Sequence, residues 1–544
     1  MKGAKQDEGK TATNPGSDRN RAEAAGAAKT SPILGFFRIA LLVYIGFVLL
    51  ASVFVAPLIE YAGKNPVVDL DFVYLVLAAM IGLGLATAAF ALSRSRVGER
   101  MKTEKCFRIV VAISAATLLA IQAFIIQGGF FTTGWDVRGL TSFDDLSTEY
   151  FSMYPNQILM EGLFQRIVQL GAMIGVDNEY LCLVVVGCVS TIVSMVAISF
   201  IAKRIAGYTA GYCTMILDAI FVGLSPWIFV PYSDTYGMLF TCLVLLFYVC
   251  IENRFVKAAG ITFFSIVGYM IKPTIIFALL AITIVEVLRF VASDKRKQLL
   301  TAMKAKAALG TGIATSAIVA CMLAIGLTNQ IKDIGLEIDE DAAFSATHFL
   351  MMGFNTESMG VWIEDDVLFS QSYPDPESRS KANLSAWLER VRDAGPIGIA
   401  KLMLQKSLSN YADGTFAWER EGNFYFFTNG TSDLVQSIYG IDSADPPFER
   451  ENLFAPSAQI LWLLVLLGAF ACLCRRKPSK QIEVMTLALL MLSVFLMLFE
   501  ARARYLYLYA PYFVLLATIG WQAIGGRVLD SIKTKTPTGA LAQR

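Results

Sequence analysis

The chain has 544 residues, 55% of them hydrophobic and 17% charged, with a mean hydropathy of +0.55. Soluble proteins carry about 25% charged residues, so this composition excludes an ordinary aqueous domain, together with disorder and collagen, and leaves a polytopic membrane protein. Lys and Arg number 46 against 45 Asp and Glu, a net charge of +1 that offers nothing to a nucleic acid, so the information lies in where the charges fall.

Residues 1–32, rich in Ala, Gly, Lys, Asn and Thr, lack the apolar stretch of a signal peptide and read as a disordered cytoplasmic tail. A bilayer core of about 30 Å takes about 20 apolar residues of helix. Uncharged runs near that length cover 39–59 and 72–93, two N-terminal spans within 33–106, and then 109–130, 180–202, 307–329, 454–474 and 505–526. Two slightly shorter ones cover 235–251 and 484–499. The run 205–233 contains Asp218, Pro226 and Pro231; its first two-thirds read as a span and its Pro-containing end as emerging from the bilayer.

Two segments admit more than one placement. Residues 157–175 set Ile158, Leu159, Leu163, Ile167, Leu170 and Ile174 at helical spacing among Glu161, Gln165 and Gln169, which fits an amphipathic helix lying in the interface or a short span. Residues 258–292 are cut by Lys272-Pro273 into apolar pieces of 14 and 12 residues. With the first on the surface and the second a hairpin of two short helices, every basic loop falls on the cytoplasmic side, as the positive-inside rule favours. If each segment crossed once, Lys203-Arg204 and Arg254 would be moved outside. The preferred topology is an all-α polytopic membrane protein of about 12 membrane helices, both termini cytoplasmic, in the plasma membrane of a bacterium.

That topology divides the chain into a membrane core over 107–329 with an exported loop at 131–179, an extracytoplasmic domain at 330–453, three C-terminal spans within 454–526 and a cytoplasmic tail at 527–544. The first exported loop carries seven acids against Arg138 and Arg166, and the second 21 acids against nine bases. Phe416, Trp418, Phe424, Tyr425 and Phe426 indicate that the second packs as a small domain. None of the nine cysteines lies in either loop, which argues against structural disulfides and CxxC zinc sites.

The first loop reads Thr133-Gly134-Trp135-Asp136-Val137-Arg138, then Phe143-Asp144-Asp145, then Tyr150 to Gln157 with Tyr154-Pro155-Asn156. Asp136, just beyond a span, sits where a lipid-linked headgroup would lie, and weak solvation there makes a carboxylate a better proton acceptor for a sugar or protein hydroxyl. The bland alternative is a solvated surface acid. Asp144-Asp145 offers a weak site for Mg²⁺ or Mn²⁺. Pro231-Tyr232-Ser233-Asp234 is a turn before a span that could add polar contacts to the same cavity. Lys272 interrupts an apolar hairpin, placed either to meet a phosphate or to snorkel to headgroups. Glu500-Ala501-Arg502-Ala503-Arg504 puts two arginines at an outer span end, against the positive-inside preference; guanidinium groups bind phosphate bidentately, although Glu500 or other acids could satisfy them. His348, the single histidine, has no partner for a zinc site and reads as a packing or hydrogen-bonding residue, with an acceptor as its candidate contact. No P-loop, GxSxG, HExxH or Rossmann pattern stands out.

Taken together, the acid after a span, the Tyr-Pro element with its amphipathic segment, Tyr-Ser-Asp before a later span, Lys-Pro between two helices and Arg-x-Arg-Tyr opening the last span resemble GT-C glycosyltransferases. The nearest subgroup is that of protein O-mannosyltransferases and lipid A aminoarabinose transferases, including bacterial cell-surface members. The resemblance covers roughly residues 107–290 and 484–526. It implies a GT-C-like fold and transfer of a sugar from a polyprenyl-phosphate carrier to a glycan or protein acceptor hydroxyl at the outer face. It implies Asp136 as base, and Arg138, Lys272, Arg502 and Arg504 as ligands of the carrier phosphate. Asp144, Asp145, Tyr154, Asn156, Tyr232, Asp234 and His348 remain the candidates to meet substrate or acceptor. Protein mannosyltransferases place two acids together in this loop, whereas Val137 follows Asp136, so Asp144 or Asp145 could serve instead. No cofactor is required, since a cation-neutralised carrier phosphate is a good leaving group. The rival classes are a transporter or flippase for lipid-linked glycans and a non-catalytic membrane scaffold.

Overall fold

The structure, a computed structural model, describes residues 31–56, 72–129, 131–132, 136–143, 145–292, 303–333, 337–418, 427–428, 432–440 and 452–535. Its helices run in chain order α1 (Pro32–Phe54), α2 (Phe72–Ser93), α3 (Arg96–Met101), α4 (Glu104–Gly129), α5 (Asp136–Thr141), α6 (Asp145–Met153), α7 (Ile158–Met173), α8 (Glu179–Ala206) and α9 (Tyr208–Asp218). They continue with α10 (Ser233–Cys250), α11 (Arg254–Ile271), α12 (Ile276–Ala292), α13 (Met303–Asp333), α14 (Ala346–Gly353), α15 (Glu364–Gln371) and α16 (Pro376–Tyr411). The last are α17 (Asp433–Tyr439), α18 (Phe454–Leu473), α19 (Lys480–Leu498), α20 (Arg504–Tyr507) and α21 (Ala510–Lys535). One two-residue antiparallel pair, β1 (Phe131–Thr132) with β2 (Phe427–Thr428), ties the segment after α4 to the segment before α17.

Among the described residues, 11 helices are long and apolar enough to cross a bilayer, and Tyr208–Gly223 is a shorter apolar helix. The protein is therefore an all-α, multi-pass integral membrane protein. The most enclosed spans are α8, α10, α18, α19 and α21, while α1, α2, α4 and α13 leave rows of Leu, Ile, Val and Phe exposed, the arrangement a lipid solvent favours. Small residues allow the close approach of α18 and α21: a side chain on Gly520 would strike the Gly468 carbonyl. Gly207, at φ 90, turns the chain directly from α8 into α9.

Three expected boundaries shift. The helices flanking Lys272 are not short: Arg254–Ile271 has 18 residues and Pro273–Ala292 has 20. Counting only uncharged residues truncated them, because Glu286 and Arg289 remain helical and are paired, Glu286 with Lys480 at 2.8 Å and Arg289 with Glu483 at 2.6 Å. The first span begins at Pro32, whose ring is tolerated at a helix start, and α21 runs on to Lys535, past the expected tail boundary at 527. Helix α7 forms over the expected segment, but its burial does not follow the polar–apolar pattern. Glu161 and Gln165 are buried, while Leu170, Met173 and Ile174 are exposed.

Helices α14, α15 and α16, between α13 and α18, pack on one another. Arg379 donates from Nε to Ser370 O at 3.0 Å and from Nη1 to Asp341 O and Ala343 O at 2.8 and 3.0 Å, fastening α15 and the preceding turn to α16. Gly395, at φ 60, and Pro396 kink α16. The stretch after α16 then sinks among the spans. The buried Asp413 carboxylate accepts from Thr415 N at 2.7 Å and Ala417 N at 2.8 Å, holding Phe416 and Ala417 in the left-handed region at φ 55 and 63. Such strain persists only where surroundings over-determine it. Phe416 packs against Phe221, Trp462 and Tyr507, and Trp418 meets Trp227 edge-on at 5.5 Å. Phe424, Tyr425 and Phe426 lie outside the described residues.

Candidate functional site

Four chain segments far apart in sequence deliver charged side chains to one end of the bundle. Asp136 opens α5, where a carboxylate complements the helix dipole. Gly139 lets that helix lie on Tyr150 of α6, since a Cβ there would come within 2.9 Å of the Tyr150 ring. Tyr232 and Asp234 stand at the start of α10. Lys272 leaves the end of α11 in extended conformation, φ −149 and ψ 117, as the residue before a proline must. Arg504 opens α20.

Tyr232 OH donates to Asp136 Oδ2 at 2.7 Å, and Arg504 Nη2 lies 4.0 Å from the same oxygen. Arg504 Nε is 3.3 Å from Asp234 Oδ2, and Lys272 Nζ pairs with Asp234 Oδ1. Asp234 thus bridges the two cations. The side chains of Asp234 and Arg504 are 1% and 6% exposed, whereas that of Asp136 is 44% exposed, so the cluster is sealed on one side and opens at Asp136. Aromatic faces line it: the Arg504 guanidinium lies 4.5 Å from the Tyr232 ring centre, and Lys272 Nζ lies 4.1 Å from that of Tyr505.

Glu500 forms a second layer, accepting from Arg502 Nε at 2.9 Å and Tyr505 OH at 2.8 Å. Burial raises the Glu500 carboxyl, but the Arg502 charge, these hydrogen bonds and the Arg504 charge outweigh it and hold the group below the usual carboxylate value. Burial and then the Asp136 charge push the Tyr232 phenol far up, against the Arg504 charge, so Tyr232 serves as a donor. Burial, then the Asp136 and Glu500 charges, raise Tyr154 in the same direction.

The structure brings together Asp136, Tyr232, Asp234, Lys272 and Arg504, with Arg502 joined through Glu500. It does not bring Arg138 to them. Two residues beyond Asp136, Arg138 points about 200° around the helix and is exposed. Tyr154 packs on Tyr150 at 5.1 Å and on Phe344 at 5.6 Å, beside the opening. Asn156 is exposed on the short turn Pro155–Gln157. His348 is fully buried, its ring stacked on Phe344 at 4.1 Å and Nδ1 2.7 Å from Ser370 Oγ, a packing position with no face for an acceptor. Asp144 lies outside the described residues, and Asp145 is described only as the backbone start of α6.

Sequence reasoning missed Tyr150, whose place in the wall depends on the contact at Gly139, and Lys406. Lys406 Nζ, buried, donates to Gly353 O at 2.7 Å and Phe499 O at 2.6 Å, while Ala501 N donates to Gly360 O at 2.8 Å. Helix α16 and the turn after α14 thereby grip the segment that carries Glu500, Arg502 and Arg504. A lone lysine in an outer loop gives no signal of this.

A family model described as a conserved hypothetical integral membrane protein matches residues 30–524. No curated protein and no solved structure matches the chain.

Proposed function

The chain belongs to that conserved integral membrane protein family, and from this premise we propose that it is a glycosyltransferase moving a sugar from a polyprenyl-phosphate-linked donor to an acceptor hydroxyl at the outer face of the membrane. The observation that supports it is the half-exposed Asp136 carboxylate, oriented by Tyr232 and set beside the buried cations Arg504 and Lys272.

The Asp136 oxygen takes the acceptor proton as the hydroxyl oxygen bonds to the anomeric carbon. The carbon–oxygen bond to the carrier phosphate breaks, and the phosphate keeps the electron pair. Arg504 and Lys272 stabilise the charge that gathers there, with positions fixed before the reaction. Asp136, Asp234 and Glu500 balance Lys272, Arg502 and Arg504, so an incoming phosphate shares these cations with Asp234. Of the aromatic side chains here, Tyr154 and Tyr505 are only half-buried and have ring surface to offer a sugar.

The same end of the bundle holds every member of the cluster, while Arg94, Lys203, Arg204, Arg254 and Arg475 lie at turns between spans on the other. By the positive-inside rule this distribution supports an outer-face cluster with both termini cytoplasmic. The test is transfer from a polyprenyl-phosphate sugar in membranes carrying Asp136→Asn. Loss of transfer at unchanged expression supports the reading, and unchanged turnover removes Asp136 from the mechanism. Vesicle uptake of the lipid-linked sugar without a new glycosidic bond would identify a carrier instead.

A further inference from the structure

One ionisable side chain inside the bundle takes no part in the outer-face cluster. Asp218 ends α9, and the chain passes straight into a π turn over Ala219–Gly223. Asp218 is fully buried, and neither carboxylate oxygen has a hydrogen-bond partner among the described residues. Among the other buried polar atoms in that condition are the Thr214 hydroxyl, one turn earlier on α9, and Gln122 Oε1 on α4.

The surroundings supply no counter-charge. Asp218 is within electrostatic reach of Cys242 on α10 and Tyr507 on α20, and among the described residues no cationic group acts on it. The π turn, a feature that recurs at functional sites, is satisfied from elsewhere. Tyr507 OH donates to Val222 O at 3.2 Å, and Gln122 Nε2 donates to Gly223 O at 2.8 Å. These donors go to backbone and leave the carboxyl alone. A bare carboxylate so placed is the costliest state of the group, and a bound positive ion removes that cost.

We propose that Asp218 is an intramembrane binding site for a small monovalent cation, a proton or Na⁺, separate from the outer-face cluster and independent of whether that cluster transfers sugar. Thr214 and Gln122 supply the oxygens that complete it, the first accepting from a protonated carboxyl or both ligating Na⁺.

Infrared difference spectroscopy on the purified full-length protein in Na⁺-free buffer at pH 7 tests this. The expected result is a protonated-carboxyl C=O band in the wild type that is lost in both Asp218→Asn and Asp218→Leu. The leucine variant is included because an apolar residue suits this core even if the amide does not fold. Adding NaCl in place of choline chloride separates the ions: a band that persists assigns a proton site, and a band that disappears in wild type assigns a site shared with Na⁺. A wild-type spectrum with no such band, or a band that both variants retain, would overturn the proposal.

Discussion

The Tyr232 hydroxyl donates to Asp136 Oδ2 at 2.7 Å, linking the start of α5 to the residue that precedes α10. The bond occupies one oxygen of a carboxylate whose side chain is 44% exposed. A hydrogen bond to a charged group contributes about 1.5–3 kcal/mol. Tyr232→Phe keeps the ring over Arg504 and removes the bond, so turnover should fall by about ten- to a hundredfold with donor KM nearly unchanged. Surface glycan restored to a deletion strain, measured by mass spectrometry at matched protein level, checks this; full restoration would show that Asp136 needs no orienting partner.

Asp234 joins Lys272 and Arg504 in a site almost without solvent. Removing one partner of a buried ion pair costs about 3–5 kcal/mol, because the other charge is left uncompensated. Asp234→Asn and Lys272→Met should each lower stability on that scale. The double variant should cost less than their sum, with a coupling of about 0.5–3 kcal/mol. Denaturant unfolding in detergent gives all three values, and simple additivity would mean that the pair does not act as a unit.

The contrast between these residues shows what could be read from the chain. Spans were legible because hydrocarbon demands uninterrupted apolar helix, and alternation of basic turns placed Asp136, Tyr232, Lys272 and Arg504 on one face. Arg138 illustrates the limit: the family resemblance implied a phosphate ligand, but a helix at that point turns it away. Glu161 and Gln165 of α7 mislead for a related reason, since polar residues among apolar ones mark a helix without saying which face meets protein and which meets lipid. Lys406 was illegible because its partners are carbonyls at Gly353 and Phe499, set by the tertiary fold.

Lys406 also makes a prediction. Burial pushes its ammonium down to about 7, against the Glu500 charge, which raises it. Between pH 7 and the unfolded value near 10.5 the unfolded chain binds more protons than the folded one, so stability rises with pH across that window. Lys406→Met fits the same channel without the charge and should lose that rise. It should also loosen the segment bearing Arg502 and Arg504, raising donor KM. Unfolding free energies from pH 7 to 10 in wild type and variant test the first point; parallel curves would discount Lys406.

His348 should govern the acid side. Burial holds its pKa down at about 4, with the Arg379 and Arg390 charges adding and those of Glu500 and Asp366 opposing. The unfolded imidazole titrates near 6.5, so between pH 6.5 and 4 the unfolded chain takes up a proton that the folded chain refuses, and stability falls as pH falls. A shift of that size corresponds to a loss of about 3 kcal/mol, nil above pH 7 and nearly complete by pH 4. Carboxylates titrate in part of the same range, so the quantity to measure is the difference between wild type and His348→Phe. The phenyl ring keeps the stack on Phe344 and gives up the Ser370 hydrogen bond, so the variant should start less stable at pH 7 and draw level or better toward pH 4. A difference that stays constant from pH 7 to 4 would show that His348 is not held neutral by its surroundings.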